Sequence, residues 1–531
     1  MSLARSSLVV AAGTGLSRIT GLARIVAIAY ALGTSALADA YNLANTTPNI
    51  VYDLLLGGVI SATLVPLIVD RLAHDDEDAV DAIGTVVSLV LVALTVVAMA
   101  AAPAIMRLYS LDVPPDRRDG QLAVAVPLLV LFMPQVLFYG LSALWTALLN
   151  ARRSFAAPAF APVLNNVVVI CLFVALARVR GEDLTIEGVR ADPGLLVLLG
   201  LGTTAGIVAM TLVLLPALRR AGQRLRWRPD WRNPALRTLA GLSGWTLGYV
   251  VTNQLLLLLL LTLMNGTEPG AVSGYTYAWL FFQLPYGLFA VSIMTTFTPE
   301  LSTSASLGDL PAYRARFAQG LRVILAVIVP TTLGYLVLAA PIVSVLLERG
   351  EFGAASVDTT VTVLVWLAAA LPGYTVFLYT MRGFNAFRDT RTPFLLNLGE
   401  SLFNAALALA LVGPFGLAGV IASYAIGYGA GAVVALAVLR RRVDGLGGRA
   451  TGTAIARQLV AAGAMAVVLV ALTRLTPTGG PTGSLLEVAG GVTLGAGVYV
   501  AMLALLRSED LAWAREAMGR SGARRRPDAM S

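Results

Sequence analysis

Apolar residues in this chain come in runs of about 20 or more, separated by short polar turns. A helix of that length spans the hydrocarbon of a bilayer. In lipid every backbone N–H and C=O must be bonded internally, so a spanning segment of this kind has to be helical. Fourteen segments are read, at roughly 8–32, 39–70, 79–108, 121–149, 155–177, 194–218, 238–264, 270–301, 321–346, 357–381, 391–412, 415–439, 456–474 and 484–506. The longest polar stretches, near 107–120, 178–193, 219–237 and 302–320, are too short for an inserted soluble domain. The pattern predicts an all-α polytopic membrane protein with about 14 transmembrane helices. The first run is not read as a secretory signal, because Arg18 and Arg24 interrupt it and no small-residue cleavage site follows a clean apolar core.

The pattern also repeats. NARRSFAAP at 150–158 and NAFRDTRTP at 385–393 share N-A-x-R-x-x-x-x-P at an offset of 235 residues. AYNLANTTP at 40–48 and AWLFFQLP at 278–285 each carry a proline inside an apolar run. Six spans separate the copies, so both halves keep the same orientation, a parallel repeat of the kind secondary transporters use. The expected organisation is two six-helix lobes, 1–220 and 221–440, then two further helices within 441–508 and a tail over 509–531.

Composition agrees: 57% of residues are hydrophobic and 13% charged, and the mean hydropathy is +0.78. A soluble domain carries about 25% charge. All 38 basic residues are arginine. Without lysine there is no Walker A loop and no Schiff-base chemistry. Cys171 is the only cysteine and His74, in a polar HDDED stretch, the only histidine, so disulfide frameworks and histidine metal sites are not expected. With the N-terminus placed in the cytoplasm, 28 arginines fall on cytoplasmic segments and 8 on outer loops. That bias sets both termini inside. The segment RRAGQRLRWRPDWRNPALR over 219–237, with Trp227 and Trp231, anchors the inner face. A basic loop joining two spans suits lipid headgroups better than nucleic acid.

Several polar residues lie where lipid-facing helices carry none. Arg18 and Arg24 sit well inside the first span. A buried arginine costs at least about 2.5–3.5 kcal/mol, so a water-filled, positively charged cavity explains them better than snorkelling. Arginine's planar fork matches phosphate. The two are about 120° apart on a regular helix and would share one cavity if the helix loosened at Gly21. The second span carries Asp39, Asn42, Asn45, Asn49 and Asp53, with Pro48, Gly57 and Gly58 as a candidate hinge. Glu400, flanked on one helix face by Asn397 and Asn404, reads as either a buried hydrogen-bonded group or an ion-coupled one. Asn385 and Asp389 begin a cytoplasmic turn, where capping explains them plainly.

The run LSRITGLARIVAIAYALGTSALADAYNLANTTPNIVYDLLLGGVISATLVP resembles the amino-terminal signature of the MurJ (MviN-type) flippase family. FMPQVLFYGLSALWTALLNARRSFAAPAFAPVLNN, YAWLFFQLPYGLFAVSIMTTFTPELS, LLERGEFG and GFNAFRDTRTP resemble its later signatures, in order, from about residue 5 to 510. The resemblance implies the multidrug/oligosaccharidyl-lipid/polysaccharide exporter fold working by alternating access. It implies no enzyme activity and export of lipid II, the undecaprenyl-pyrophosphate-linked peptidoglycan precursor, across the bacterial cytoplasmic membrane for cell wall synthesis. Membrane lipids and the cell-wall synthesis machinery are the expected partners, and the alternative is another exporter of the same superfamily, for drugs or lipid-linked oligosaccharides. Arg18, Arg24, Asp39 and Asn49 match the family's cavity positions. Asp53, Asn385, Asp389 and Glu400 are the candidates for ion coupling, with no cofactor beyond a monovalent cation or the membrane potential. Tyr52, Trp279 and Leu280 stand where many members carry cavity charges, so the basic character rests on Arg18 and Arg24.

Overall fold

The computed structural model describes residues 3–54, 65–74, 76–180, 183–223, 226–233, 244–475 and 481–508. The regular elements among these residues are helices, numbered here in chain order. They are α1 (Leu3–Leu32), α2 (Ala36–Tyr52), α3 (Val65–Ala73), α4 (Glu77–Tyr109), α5 (Pro115–Phe132), α6 (Pro134–Ala151), α7 (Ala156–Arg180), α8 (Ile186–Ala191), α9 (Pro193–Leu212) and α10 (Leu214–Arg220). There follow α11 (Gly244–Thr267), α12 (Ala271–Pro285), a π-helical turn over Tyr286–Ala290, α13 (Val291–Ser306), α14 (Leu310–Leu347), α15 (Ala354–Asn385), α16 (Arg391–Arg442), α17 (Gly448–Leu475) and α18 (Pro481–Leu505).

Twelve helical stretches among the described residues are long and apolar enough to cross a membrane. The reading of fourteen differs at two places. The 52-residue α16 holds two of the read spans, because Gly416 breaks it with φ 53° just after Pro414. The second read span, 39–70, runs through residues outside the described set, and the candidate hinge glycines Gly57 and Gly58 lie there too. Outward-facing valines and leucines, among them Val97 (64% exposed), Val433 (69%) and Val467 (70%), leave an apolar surface suited to lipid tails. The protein is a multi-pass membrane protein.

The chain divides into two compact units, one of residues 1–277 with 349–359, the other of 278–348 with 360–531. In the first, α1 lies close along α7: a Cβ at Gly13 would sit 2.7 Å from the Ala159 Cβ. Asn166 on α7 donates to the Ser17 carbonyl (3.2 Å) and to Thr20 Oγ1 (3.0 Å), the small-residue contact and polar glue expected where lipid supplies no hydrophobic drive. Tyr41 stands edge-on to Phe132 and Phe173, at 5.5 and 5.2 Å, and is fully buried in this unit. In the second unit Trp279 stacks on Phe282 (4.8 Å), and Tyr374 joins Phe282 to Tyr428.

The sequence repeat has a backbone counterpart. Arg153 and Arg388, the matching arginines of the two N-A-x-R motifs, both hold left-handed φ, 57° and 58°. Each amide donates to the motif asparagine's carbonyl, Arg153 to Asn150 at 3.0 Å and Arg388 to Asn385 at 2.9 Å. The next residue bonds five positions back in each copy, Ser154 to Leu149 and Asp389 to Phe384. This is a Schellman-type helix end, made twice with a residue that pays about 1 kcal/mol or more for the conformation.

Candidate functional site

α1 runs as one unbroken helix through Gly21, so Arg18 and Arg24 keep their helical separation. Arg18 is exposed and Arg24 half-buried. Arg24 Nε is buried and has no hydrogen-bond partner. Tyr41 on α2 and Tyr139 on α6 lie within electrostatic range of the Arg24 charge. Tyr41 shares a 3.0 Å hydrogen bond with Thr203 on α9. Asn49 reaches Tyr139 as well, and its amide donates to the Asn45 carbonyl at 3.2 Å. Tyr52 stacks loosely on Tyr139 at 6.0 Å. The group thus comprises one guanidinium with a spare buried donor, two phenols and an amide inside the first unit.

Tyr139 and Thr203 were not legible as part of this group. Each is an ordinary polar residue in an apolar run, and only helix packing brings Tyr139 within range of Arg24 and Thr203 to Tyr41.

Asp39 occupies a different place. It is 2% exposed and accepts from Gly270 N (2.6 Å), Ser273 N (2.8 Å) and Ser273 Oγ (2.6 Å). The two amides belong to the start of α12, so Asp39 on α2 caps that helix from across the unit. Asn42, one turn on, donates to the same Ser273 hydroxyl. Gly270 has φ 91°, and a Cβ there would collide with Thr34, so only glycine brings the amide to the carboxylate. The surrounding turn is held by Thr34 Oγ1 to Ser356 Oγ (2.8 Å), Tyr277 OH to the Gly33 carbonyl (3.0 Å) and Glu351 N to the Tyr30 carbonyl (3.0 Å). Beside Asp39 a cavity of about 270 Å³ is lined by Asp116, Arg117, Gln121, Arg190 and Asn265. Asp53 accepts from Gln254 Nε2 on α11 at 3.0 Å, a second partner the sequence did not signal.

In the second unit the candidate ion-coupling residues separate. Asn385 is exposed at the end of α15. Asp389 accepts from Thr392 N (3.0 Å) and Thr392 Oγ1 (2.7 Å) and pairs with Arg442, which also stacks over Phe387 at 5.0 Å. Burial pulls the Asp389 carboxyl upward, but the Thr392 bonds and the Arg442 guanidinium outweigh it and hold it below the ordinary carboxylate value. A depressed carboxyl contributes stability above its unfolded value, lost as pH falls through the lower folded one. Asp389→Asn is therefore expected to lower thermal stability at neutral pH by roughly 0.5–1 kcal/mol, with the difference vanishing in acid. Melting of the detergent-solubilised variant and parent across pH checks this; a difference that survives full protonation assigns the effect to packing. Glu400 lies inside α16, apart from this turn, with Asn404 as neighbour.

Comparison with known proteins follows the same lines. The family profile described as "Lipid II flippase MurJ" matches residues 28–490. A "Lipid II flippase MurJ" from Burkholderia cenocepacia is 30% identical over 452 residues, covering 83% of this chain and 84% of the relative. A "Probable lipid II flippase MurJ" from Rhizobium meliloti is 29% identical over 479 residues, 88% of this chain and 86% of the relative. Among solved structures, "Lipid II flippase MurJ, inward closed conformation" superposes with a TM-score of 0.75 at 22% identity, over 94% of this chain and 98% of the other. An inward-facing multidrug resistance MATE transporter of the MOP superfamily shares the fold, with a TM-score of 0.66 at 15% identity over 80% and 94% of the two chains.

Proposed function

Because the chain belongs to the lipid II flippase MurJ family, we propose that Arg24 receives the pyrophosphate of lipid II, with Arg18, about 120° round the same unbroken helix, contributing charge rather than a shared cavity, as this protein carries the precursor from the inner to the outer leaflet. One observation carries the assignment of Arg24: its Nε is buried without an acceptor. A buried donor left unmade costs about 1–3 kcal/mol, more when charged, and a phosphate oxygen is the acceptor whose geometry fits a guanidinium fork. The Tyr139 and Tyr41 hydroxyls and the Asn49 amide supply further donors to the same anion. The isoprenoid stays in lipid while the headgroup crosses.

No lysine-bearing nucleotide loop is present in the sequence, so the driving force is a gradient. Each net negative charge moved outward gains about 2.3 kcal/mol per 100 mV. Leaflet-specific accessibility of lipid II in proteoliposomes tests the function. Transfer that depends on the protein and on Arg24 supports it, and transfer of cationic drugs instead of lipid II sinks it.

The arginine bias sets both termini and the 219–237 loop on the cytoplasmic side of the cytoplasmic membrane, where the basic loop meets anionic headgroups. Trp227 and Trp231, 70% and 59% exposed, sit at that interface. With Cys171 replaced, a cysteine at 231 should react with an impermeant maleimide only after the cells are opened. Labelling of intact cells reverses the topology. Flipped lipid II is the substrate of the cell-wall synthesis machinery on the outer face, which makes that machinery the functional partner.

A further inference from the structure

Of the three acids singled out in the apolar segments of the sequence, Asp39, Asp53 and Glu400, two are already committed. Asp39 holds three donors at a helix start, and Asp53 holds Gln254. Glu400 differs from both. It is 4% exposed, and its hydrogen bonds are long, Asn404 Nδ2 to Oε1 at 3.3 Å and Ser401 Oγ to Oε2 at 3.4 Å. No ion pair among the described residues includes it. One turn earlier on the same helix face lies Asn397, 0% exposed, and neither its Oδ1 nor its Nδ2 has a partner. A buried carboxylate with no ion-pair partner, next to a buried amide with donor and acceptor unused by protein groups, is chemically suited to take up a positive species.

The wall opposite decides what fits. A Cβ at Gly427 would lie 3.0 Å from Glu400 Oε1, and one at Gly431 would lie 2.9 Å from its Cγ. The second half of α16 is thus pressed backbone-first against the carboxyl. Asn404 Oδ1 is taken by Ser423 Oγ at 2.9 Å. A metal ion needs a shell of several oxygens. Here the side-chain oxygens at hand come to the carboxylate, Asn397 Oδ1 and Ser401 Oγ, short of a full shell. A proton needs no shell, and the polar groups on Glu400's own helix, Asn397, Ser401 and Asn404, suffice to surround a neutral carboxyl.

We propose that Glu400 is the proton-binding site of the second unit, with Asn397, Ser401 and Asn404 as its polar surround and Gly427 and Gly431 as its wall. The groups facing it from the packed helices are neutral. Phe377 of α15 meets Gly431, and Tyr428 lies against Phe377 at 5.6 Å and against Tyr424 at 4.6 Å. The charged residues of α15 and α16 other than Glu400 are Asp358, Arg382, Arg391 and Arg440 to Arg442, all near helix ends. Arg391, nine residues before Glu400, is about 13 Å away along the axis. Binding a proton from water neutralises the carboxyl and lets the two halves of α16 close on it; releasing the proton leaves a charge that the glycine wall cannot solvate. Glu400 thereby becomes a point at which a proton gradient acts on the packing of this unit.

Infrared difference spectra of the full chain in lipid nanodiscs, taken between neutral and alkaline pH, test the proposal without any transport, and so independently of the lipid II reading. The expected result is a carboxylic acid C=O band present at neutral pH, lost in alkali and missing from Glu400→Gln. Asn404→Leu removes an observed donor, so the same band should move to higher frequency; this variant serves if Glu400→Gln does not fold. A band unchanged in either variant that folds, or no such band in the parent, overturns the proposal. So does a band abolished by sodium chloride but not by choline chloride, which assigns the site to sodium.

Discussion

Arg24→Ala is expected to insert and accumulate as the parent does, yet to lose lipid II transfer by roughly 30- to several-thousand-fold, the cost of truncating one partner of a buried charge pair. The reason is local. Arg24 is half-buried with its Nε unpartnered, and Tyr52 leaves the neighbouring position without a cation. Arg24→Lys keeps the charge but loses the planar fork, so partial activity is expected. Arg18, exposed on the same helix, should give the smaller loss of the two. Complementation of a depleted strain, at matched protein levels, reads all three. Full growth on Arg24→Ala removes this arginine from the headgroup site even though the family assignment stands.

The second large effect is one of stability. Asp39→Ala leaves the Gly270 and Ser273 amides and the Ser273 hydroxyl without their common acceptor, in a position 2% exposed. Each buried donor so orphaned costs roughly 1–3 kcal/mol, and the lost charge at a helix N-terminus adds to that. A total of roughly 3–5 kcal/mol is expected, enough to lower the melting temperature of the purified chain clearly and to reduce its level in the membrane. Asp39→Asn, which retains one acceptor oxygen, should lose about half. An unaltered melting curve for Asp39→Ala shows that water or a neighbouring carbonyl replaces the carboxylate, and the cap then carries no stability.

Most of the fold was legible because lipid leaves the chain so few choices. A run of twenty apolar residues has one way to satisfy its backbone. The N-A-x-R turns were legible for a related reason: a helix end has a local hydrogen-bond pattern, complete within six residues. The site was less legible, since its geometry is not local. Asp39 meets its partners 231 and 234 residues downstream, and nothing near Asp39 indicates that a helix start will arrive there. Arg24 could be singled out from burial cost alone, but Tyr139 could not, because a tyrosine in an apolar run has no such cost. Glu400 with Asn397 and Asn404 was visible as a helix face, whereas the glycine wall packed against it belongs to the second half of α16. Periodicity names the face of a helix and is silent about what that face meets.

The first unit borrows residues 349–359 from beyond its own stretch of chain, and this sets an order of events during synthesis. When residue 277 has left the ribosome, Thr34 still lacks Ser356, and the Tyr30 carbonyl still lacks the Glu351 amide. Those partners lie about 80 residues later, roughly 4–16 s at ordinary elongation rates. For that interval the helices inserted first wait in the bilayer with one end unlatched, while the opening helices of the other unit are synthesised. A nascent chain arrested before residue 351 should therefore remain open to protease at Gly33, and one arrested well after residue 359 should be closed.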